Sequence, residues 1–130
     1  MSINVHPMNT TPSTCQSIFK MLEQVMIQVE YHCFVDLRLN YIDPFYKELC
    51  LVIAEVFILN PDSTVKINGL GMTAHLVQEV YTQLNNEHVR LVFNNFQNVS
   101  HHVHNKKAYL RTALYNIVFE LESHAINGTK

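Results

Sequence analysis

From Phe45 to Asn60 runs the stretch FYKELCLVIAEVFILN, apolar almost all the way round when it is wound as a helix. A helix with no polar face cannot lie on a surface, so the rest of the chain has to surround it. Asp43-Pro44 supplies its start: a carboxylate at the N-cap, then a proline in the first turn, where a missing N–H costs nothing. Asn60-Pro61 supplies its end, because a residue before proline avoids helical geometry.

The surrounding pieces read as amphipathic. Thr11-Pro12 repeats the cap-then-proline start, and Ile18, Phe19, Leu22, Val25, Met26 and Val29 recur at spacings of three and four. That helix is expected to reach Glu30 and to continue, less regularly, through Tyr31–Asp36. Thr64–Ile67 is rich in β-formers, Asn68-Gly69 is a hairpin turn, and Leu70–Met72 is the return strand. So small a ribbon has to lean on helices. Thr73 is placed to cap a helix reaching Gln83, with Leu76, Val77, Val80 and Tyr81 inward. Asn85 is placed to cap another, carrying Val89, Leu91, Val92, Phe93 and Phe96. Glu79 and Glu87 are expected early in these helices, where the dipole favours acids. After the polar stretch Asn98–His104, Asn105 opens a last helix with Ala108, Tyr109, Leu110, Ala113, Leu114, Ile117, Val118 and Leu121 as its apolar stripe. The expected fold class is mainly α, a single small helical bundle of about five helices with one short β-hairpin. It occupies residues 12–122, between a flexible N-terminal lead at 1–11 and a flexible tail at 123–130.

With 48% apolar residues in 130, a core can form without disulfides or a structural metal. Charged residues are only 15%, their place taken by Asn, Gln, Thr and His. Nine basic against eleven acidic residues argue against a general nucleic-acid coat. Cys15, Cys33 and Cys50 are an odd set without a CxxC pair, and neither a signal peptide nor a membrane-length apolar run occurs. They read as reduced thiols of a cytoplasmic protein, with Cys50 in the core, rather than as a redox or zinc site.

Three motifs carry a resemblance: TVKING with Thr64, Ile67 and Gly69; LNNEHV with Leu84, Asn85, His88 and Val89; and NKKAYLRTALYN from Asn105 to Asn116. In register, they resemble the domain that follows the winged-helix domain of RepA-type replication initiators of Gram-positive plasmids and conjugative elements. The likeness covers residues 25–118. It implies a helical domain related in shape to the C-terminal domains of primosome proteins, and a role in recruiting replication proteins to an origin. Two departures stand out. A DNA-binding winged-helix domain has no room before the match, so the resemblance implies either a fragment or a free-standing relative. His102 and His104 also stand where the family implies basic residues, which weakens direct contact with DNA.

Ser100–Lys107, with Arg111 a turn later, is the most basic and polar place in the chain. Lysines at a helix N-terminus oppose its dipole, and an anion held by free N–H groups, Lys106 and Lys107 would explain them. Lys66, His102, His104, Lys106, Lys107 and Arg111 are therefore the candidate partner- or anion-binding residues; exposed lysines on a solvated loop are the plainer alternative. His101, His102 and His104 lack a nearby carboxylate and the helical spacing of a catalytic zinc site, so no metal is assigned. His88 reads as a packing or hydrogen-bonding side chain rather than a general base. His32 beside Cys33 has nothing in the sequence to orient it for nucleophilic chemistry. Tyr109 and Tyr115 are expected to pack the last helix against the hairpin. Phosphate-cradling and nucleophile-elbow motifs are missing, and with them any pointer to a cofactor or an enzyme. The expectation is a non-catalytic module of a mobile genetic element that binds a protein of the replication or nucleic-acid-processing machinery. A stand-alone inhibitor of a host nucleic-acid-handling protein is one alternative. A weak nucleic-acid binder using Lys66, Lys106, Lys107 and Arg111 is another. No membrane partner is expected, and an apolar strip on the first helix leaves room for a homodimer.

Overall fold

Pro44 does open a helix, α2 (Pro44–Phe57), and the Asp43 carboxylate accepts the Phe45 N–H at 2.9 Å. The computed structural model describes residues 11–128 of the chain. Besides α2 it holds α1 (Thr11–Gln28), α3 (Ala74–Tyr81), α4 (Asn86–Val99) and α5 (Lys106–Gly128). A hairpin of β1 (Thr64–Ile67) and β2 (Leu70–Thr73) lies between α2 and α3. Short 3-10 turns stand at Tyr31–Phe34 and Ser100–His102. This is a small mainly α domain with a hairpin, as its sequence pattern implies.

α2 is the axis of the core. Leu49, Cys50, Ile53 and Ala54 are fully buried on it, and α1, α3, α4 and α5 all pack against it. From the neighbours come Val25 and Val29, Val77 and Tyr81, Val89 and Val92, Leu110 and Leu114. Each large apolar side chain so buried contributes about 1.5–3 kcal/mol relative to leaving it in water.

The hairpin pairs antiparallel with Thr64 opposite Thr73 and Ile67 opposite Leu70. Val65 and Ile67 point into the core while Lys66 faces solvent, the alternation of a half-buried strand. Asn68 (φ 55°) and Gly69 (φ 79°) both lie in the left-handed region, as a two-residue turn matching strand twist requires. The turn is tied to α5. The Asn68 N–H donates to Thr112 Oγ1 at 3.2 Å, and the Asn68 and Asn116 amides exchange hydrogen bonds at 3.1 and 3.0 Å. Thr112 and Asn116 therefore anchor the hairpin turn. Tyr109 meets Phe96 of α4, and Tyr115 meets Phe119.

Several boundaries differ from those expected. α1 stops at Gln28 because Glu30 turns left-handed at φ 54°, and the chain then makes a tight turn rather than more helix. Thr73 occupies the cap of α3 without a side-chain bond; instead the Ala74 and His75 N–H groups donate to Ser63 O at 2.7 Å and Pro61 O at 2.9 Å. α3 ends at Tyr81, so Glu79 sits in its last turn rather than its first. Leu76, expected inward, is 49% exposed. α4 runs through Val99, into the expected polar loop. α5 is helical to Gly128, beyond the expected limit at residue 122. Of the expected lead, residues 1–10 lie outside the described residues, as does the side chain of Cys15.

Candidate functional site

The segment after the first 3-10 turn is built from a short list of contacts. Asp36 N–H donates to Tyr41 O at 2.7 Å and Tyr41 N–H returns to Asp36 O at 3.3 Å, which pinches Leu37–Asn40 into a tip. Inside the tip, Asp36 Oδ1 accepts the N–H groups of Arg38 and Leu39 at 3.0 and 3.3 Å. Asn40 turns at φ 51°. The tip is closed by these bonds, yet it shows apolar groups to solvent: Leu37 is 87% exposed, Leu39 67% and Tyr41 52%. Loops are ordinarily polar, and adjacent exposed leucines mark a surface meant for something other than water.

Behind the tip lies a groove of about 360 Å³ walled by Phe34, Tyr41, Tyr46 and Phe93. Three of these rings form a stack: Phe34 on Tyr46 and Tyr46 on Phe93, each with centroids 4.1 Å apart and planes within 7°. Arg90 closes one end, its guanidinium 5.3 Å from the Phe34 ring centre. The same side chain donates to the Cys33 carbonyl, and its Nε donates to Asn86 Oδ1 at 2.8 Å. Asp36 and Asp43 also line the groove. Burial raises the Tyr46 phenol above its ordinary value; Arg90 pulls it down and Asp43 pushes it up.

The residues singled out from sequence sit elsewhere, at the start of α5 and on the hairpin. Asn105 caps α5 by accepting the Ala108 N–H at 3.0 Å. Lys106 pairs with Glu48 at 3.0 Å and Lys107 with Glu55 at 3.1 Å, both acids on α2. Lys106 also lies 4.7 Å from the Phe45 ring centre. The anion that offsets these lysines against the dipole is thus a pair of carboxylates from the chain itself. Arg111 is half-buried, and its carbonyl accepts the Tyr81 hydroxyl at 2.7 Å. Lys66, His102 and His104 are exposed, and no hydrogen bond or ion pair among the described residues joins them to the lysines. The rings of His101 and His102 are 3.8 Å apart. No group of three potential ligands that could hold a metal ion occurs among the described residues.

His88 is buried and acts within α4. Its Nδ1 accepts the Asn85 N–H at 3.0 Å, and Asn85 Oδ1 accepts the His88 N–H at 3.1 Å, a reciprocal capping box. His32 Nε2 and Cys33 Sγ are 3.4 Å apart on the exposed side of the 3-10 turn. The Cys50 thiol, buried and apolar in its surroundings, is pushed up to about 12.

The groove escaped the sequence reading because its residues come from four separated places, the 3-10 turn, the tip, α2 and α4. One signal was legible: Leu37-Arg38-Leu39 puts two leucines into a segment with no helical or strand period.

Fold and surface together define a small helical domain with an apolar tip beside an aromatic groove. Over residues 9–127 the sequence matches a family described as "Family of unknown function (DUF6017)", and the chain belongs to that family. No curated protein and no solved structure matches it. No helix among the described residues is long and apolar enough to cross a membrane.

Proposed function

We propose that this chain is a non-catalytic protein-binding module of a mobile genetic element, of the kind that recruits replication proteins, and that it binds through the Leu37–Tyr41 tip and the groove behind it. The observation that carries the reading is the tip itself: leucines 87% and 67% exposed on a loop closed by its own backbone. Burying them in a partner would contribute about 1.5–3 kcal/mol each. Two of the three motifs that carry the resemblance to replication initiators meet in space, and the third is local to the start of α4. The hairpin turn at Asn68 binds Thr112 and Asn116, His88 and Asn85 form one cap, and Asn105 forms another. Those residues hold a shape, which leaves binding to surface groups outside the motifs. The nucleic-acid alternative is weakened, since Lys106 and Lys107 have their charges offset by Glu48 and Glu55.

Affinity capture from a nuclease-treated Gram-positive lysate tests the reading. The wild-type chain is expected to retain a replication or other nucleic-acid-handling protein, the Leu37→Ser/Leu39→Ser variant to lose it, and the Lys106→Ala/Lys107→Ala variant to keep it. Loss with the lysine variant alone, or loss on nuclease treatment, would move the function to the start of α5.

A further inference from the structure

Resting on that reading, we propose that the groove receives a basic side chain, an arginine or lysine, carried by an extended apolar segment of the partner. Three features converge on a cation. One wall is Tyr41, 52% exposed, and the face of such a ring attracts positive charge. Asp36 and Asp43 line the groove, and every hydrogen bond that their carboxylates accept falls on Oδ1, as does the 3.9 Å approach of Arg38 to Asp36, so their Oδ2 atoms have no partner among the described residues. Tyr46 is 7% exposed and lines the groove, yet its hydroxyl finds no hydrogen-bond partner among the described residues. A buried phenol oxygen without a partner is costly, and a donor from a ligand removes that cost.

Arg90 does not fill this role from within. Its guanidinium is held by the Cys33 carbonyl, Asn86 and the Phe34 face, and no carboxylate lies within ion-pair distance of it among the described residues. It fixes one wall and, among the residues that line the groove, is one cation beside two carboxylates; Arg38, paired with Asp36 at 3.9 Å, stands outside the lining and is 90% exposed. A planar guanidinium can lie over the half-exposed Tyr41 ring while donating to the free carboxylate oxygens, which favours arginine over lysine. Leu39, which lines the groove, and the exposed Leu37 on the same tip meet the apolar residues that flank the basic one.

The test is panning of a random heptapeptide phage library against the full chain, followed by binding of the selected synthetic peptides to variants. Selected peptides are expected to share an arginine or lysine beside apolar residues. Their affinity is expected to fall about ten- to hundredfold for Asp36→Asn or Tyr46→Phe. Asp43→Asn keeps the α2 cap, since asparagine caps as well as aspartate, and is expected to weaken binding similarly. Replacing the basic residue by citrulline or norleucine should do the same, and circular dichroism melts of the variants separate lost binding from lost folding. Peptides that need Leu37 and Leu39 but carry no basic residue would overturn the cation inference and leave the protein-binding reading standing. Failure to select any peptide that the Leu37→Ser/Leu39→Ser variant releases would overturn both.

Discussion

His88 and Asn85 exchange two hydrogen bonds at the head of α4, and only a neutral imidazole with a bare Nδ1 can accept the Asn85 N–H. Burial holds this imidazole below its ordinary value of 6.5, with Glu87 opposing weakly. The unfolded chain thus takes up the proton more readily than the folded one. The contribution to stability is whole above about pH 6.5 and is lost as pH falls toward the lower folded value. Urea midpoints measured from pH 7 downward are expected to decline through that window. His88→Gln, whose amide oxygen can accept the same N–H, should flatten this limb. Parallel declines in the two proteins would contradict the assignment. Tyr81, fully buried, gives its hydroxyl to the Arg111 carbonyl at 2.7 Å. Tyr81→Phe removes that bond while the carbonyl keeps its partner within α5, and is expected to cost about 0.5–1.5 kcal/mol in urea unfolding.

At the scale of elements, the helix ends show what the Asn- and Gln-rich composition does. Helices commonly end on glycine, but this chain has three glycines, at 69, 71 and 128, and none closes α1 to α4. Side-chain amides from neighbouring elements take that role. Gln78 of α3 donates to Val56 O and Leu59 O at the end of α2, at 3.0 and 2.9 Å. Gln28 of α1 donates to Tyr81 O and Leu84 O at the end of α3, at 3.0 and 2.8 Å. Asn86 of α4 donates to Val29 O at the end of α1, at 2.9 Å. The ends of α1, α2 and α3 are thus each satisfied by a side chain of another helix, which couples their positions. Gln78→Ala and Gln28→Ala are each expected to destabilise by about 1–3 kcal/mol, well above an average surface substitution. The Lys106–Glu48 and Lys107–Glu55 pairs are exposed, so removing both lysines is expected to change stability by no more than about 1 kcal/mol per pair, and less in high salt.

These element-level contacts also mark what could be read from residues in order. The α2 run, the Asp43, Asn85 and Asn105 caps and the Asn68-Gly69 turn are local, so they were legible. The left-handed Glu30, the exposure of Leu76 and the pairing of the α5 lysines with α2 depend on what packs opposite, and were not. The groove belongs to the second kind. Nothing in the spacing of Phe34, Tyr46, Arg90 and Phe93 foretells a stack that assembles only when the 3-10 turn, α2 and α4 meet.

For the whole molecule, the two described cysteines report on different events. Cys33 is exposed, whereas Cys50 is fully buried with its thiol pushed up to about 12. In a Cys15→Ser background, a thiol reagent at pH 8 is expected to modify Cys33 promptly and Cys50 only at the rate of global unfolding. Prompt reaction of both would show that the core around α2 opens without the whole domain unfolding. The proposed binding surface also belongs to this scale, since α1 to α5 form one scaffold and the exposed tip at Leu37–Tyr41 stands on it. Hydrogen–deuterium exchange of the chain, free and bound to the protein it captures, tests that placement most directly. The account predicts added protection over residues 33–46 and 90–93, with residues 100–111 unchanged. Protection gathered at 100–111, with the tip exchanging as in the free chain, would contradict it.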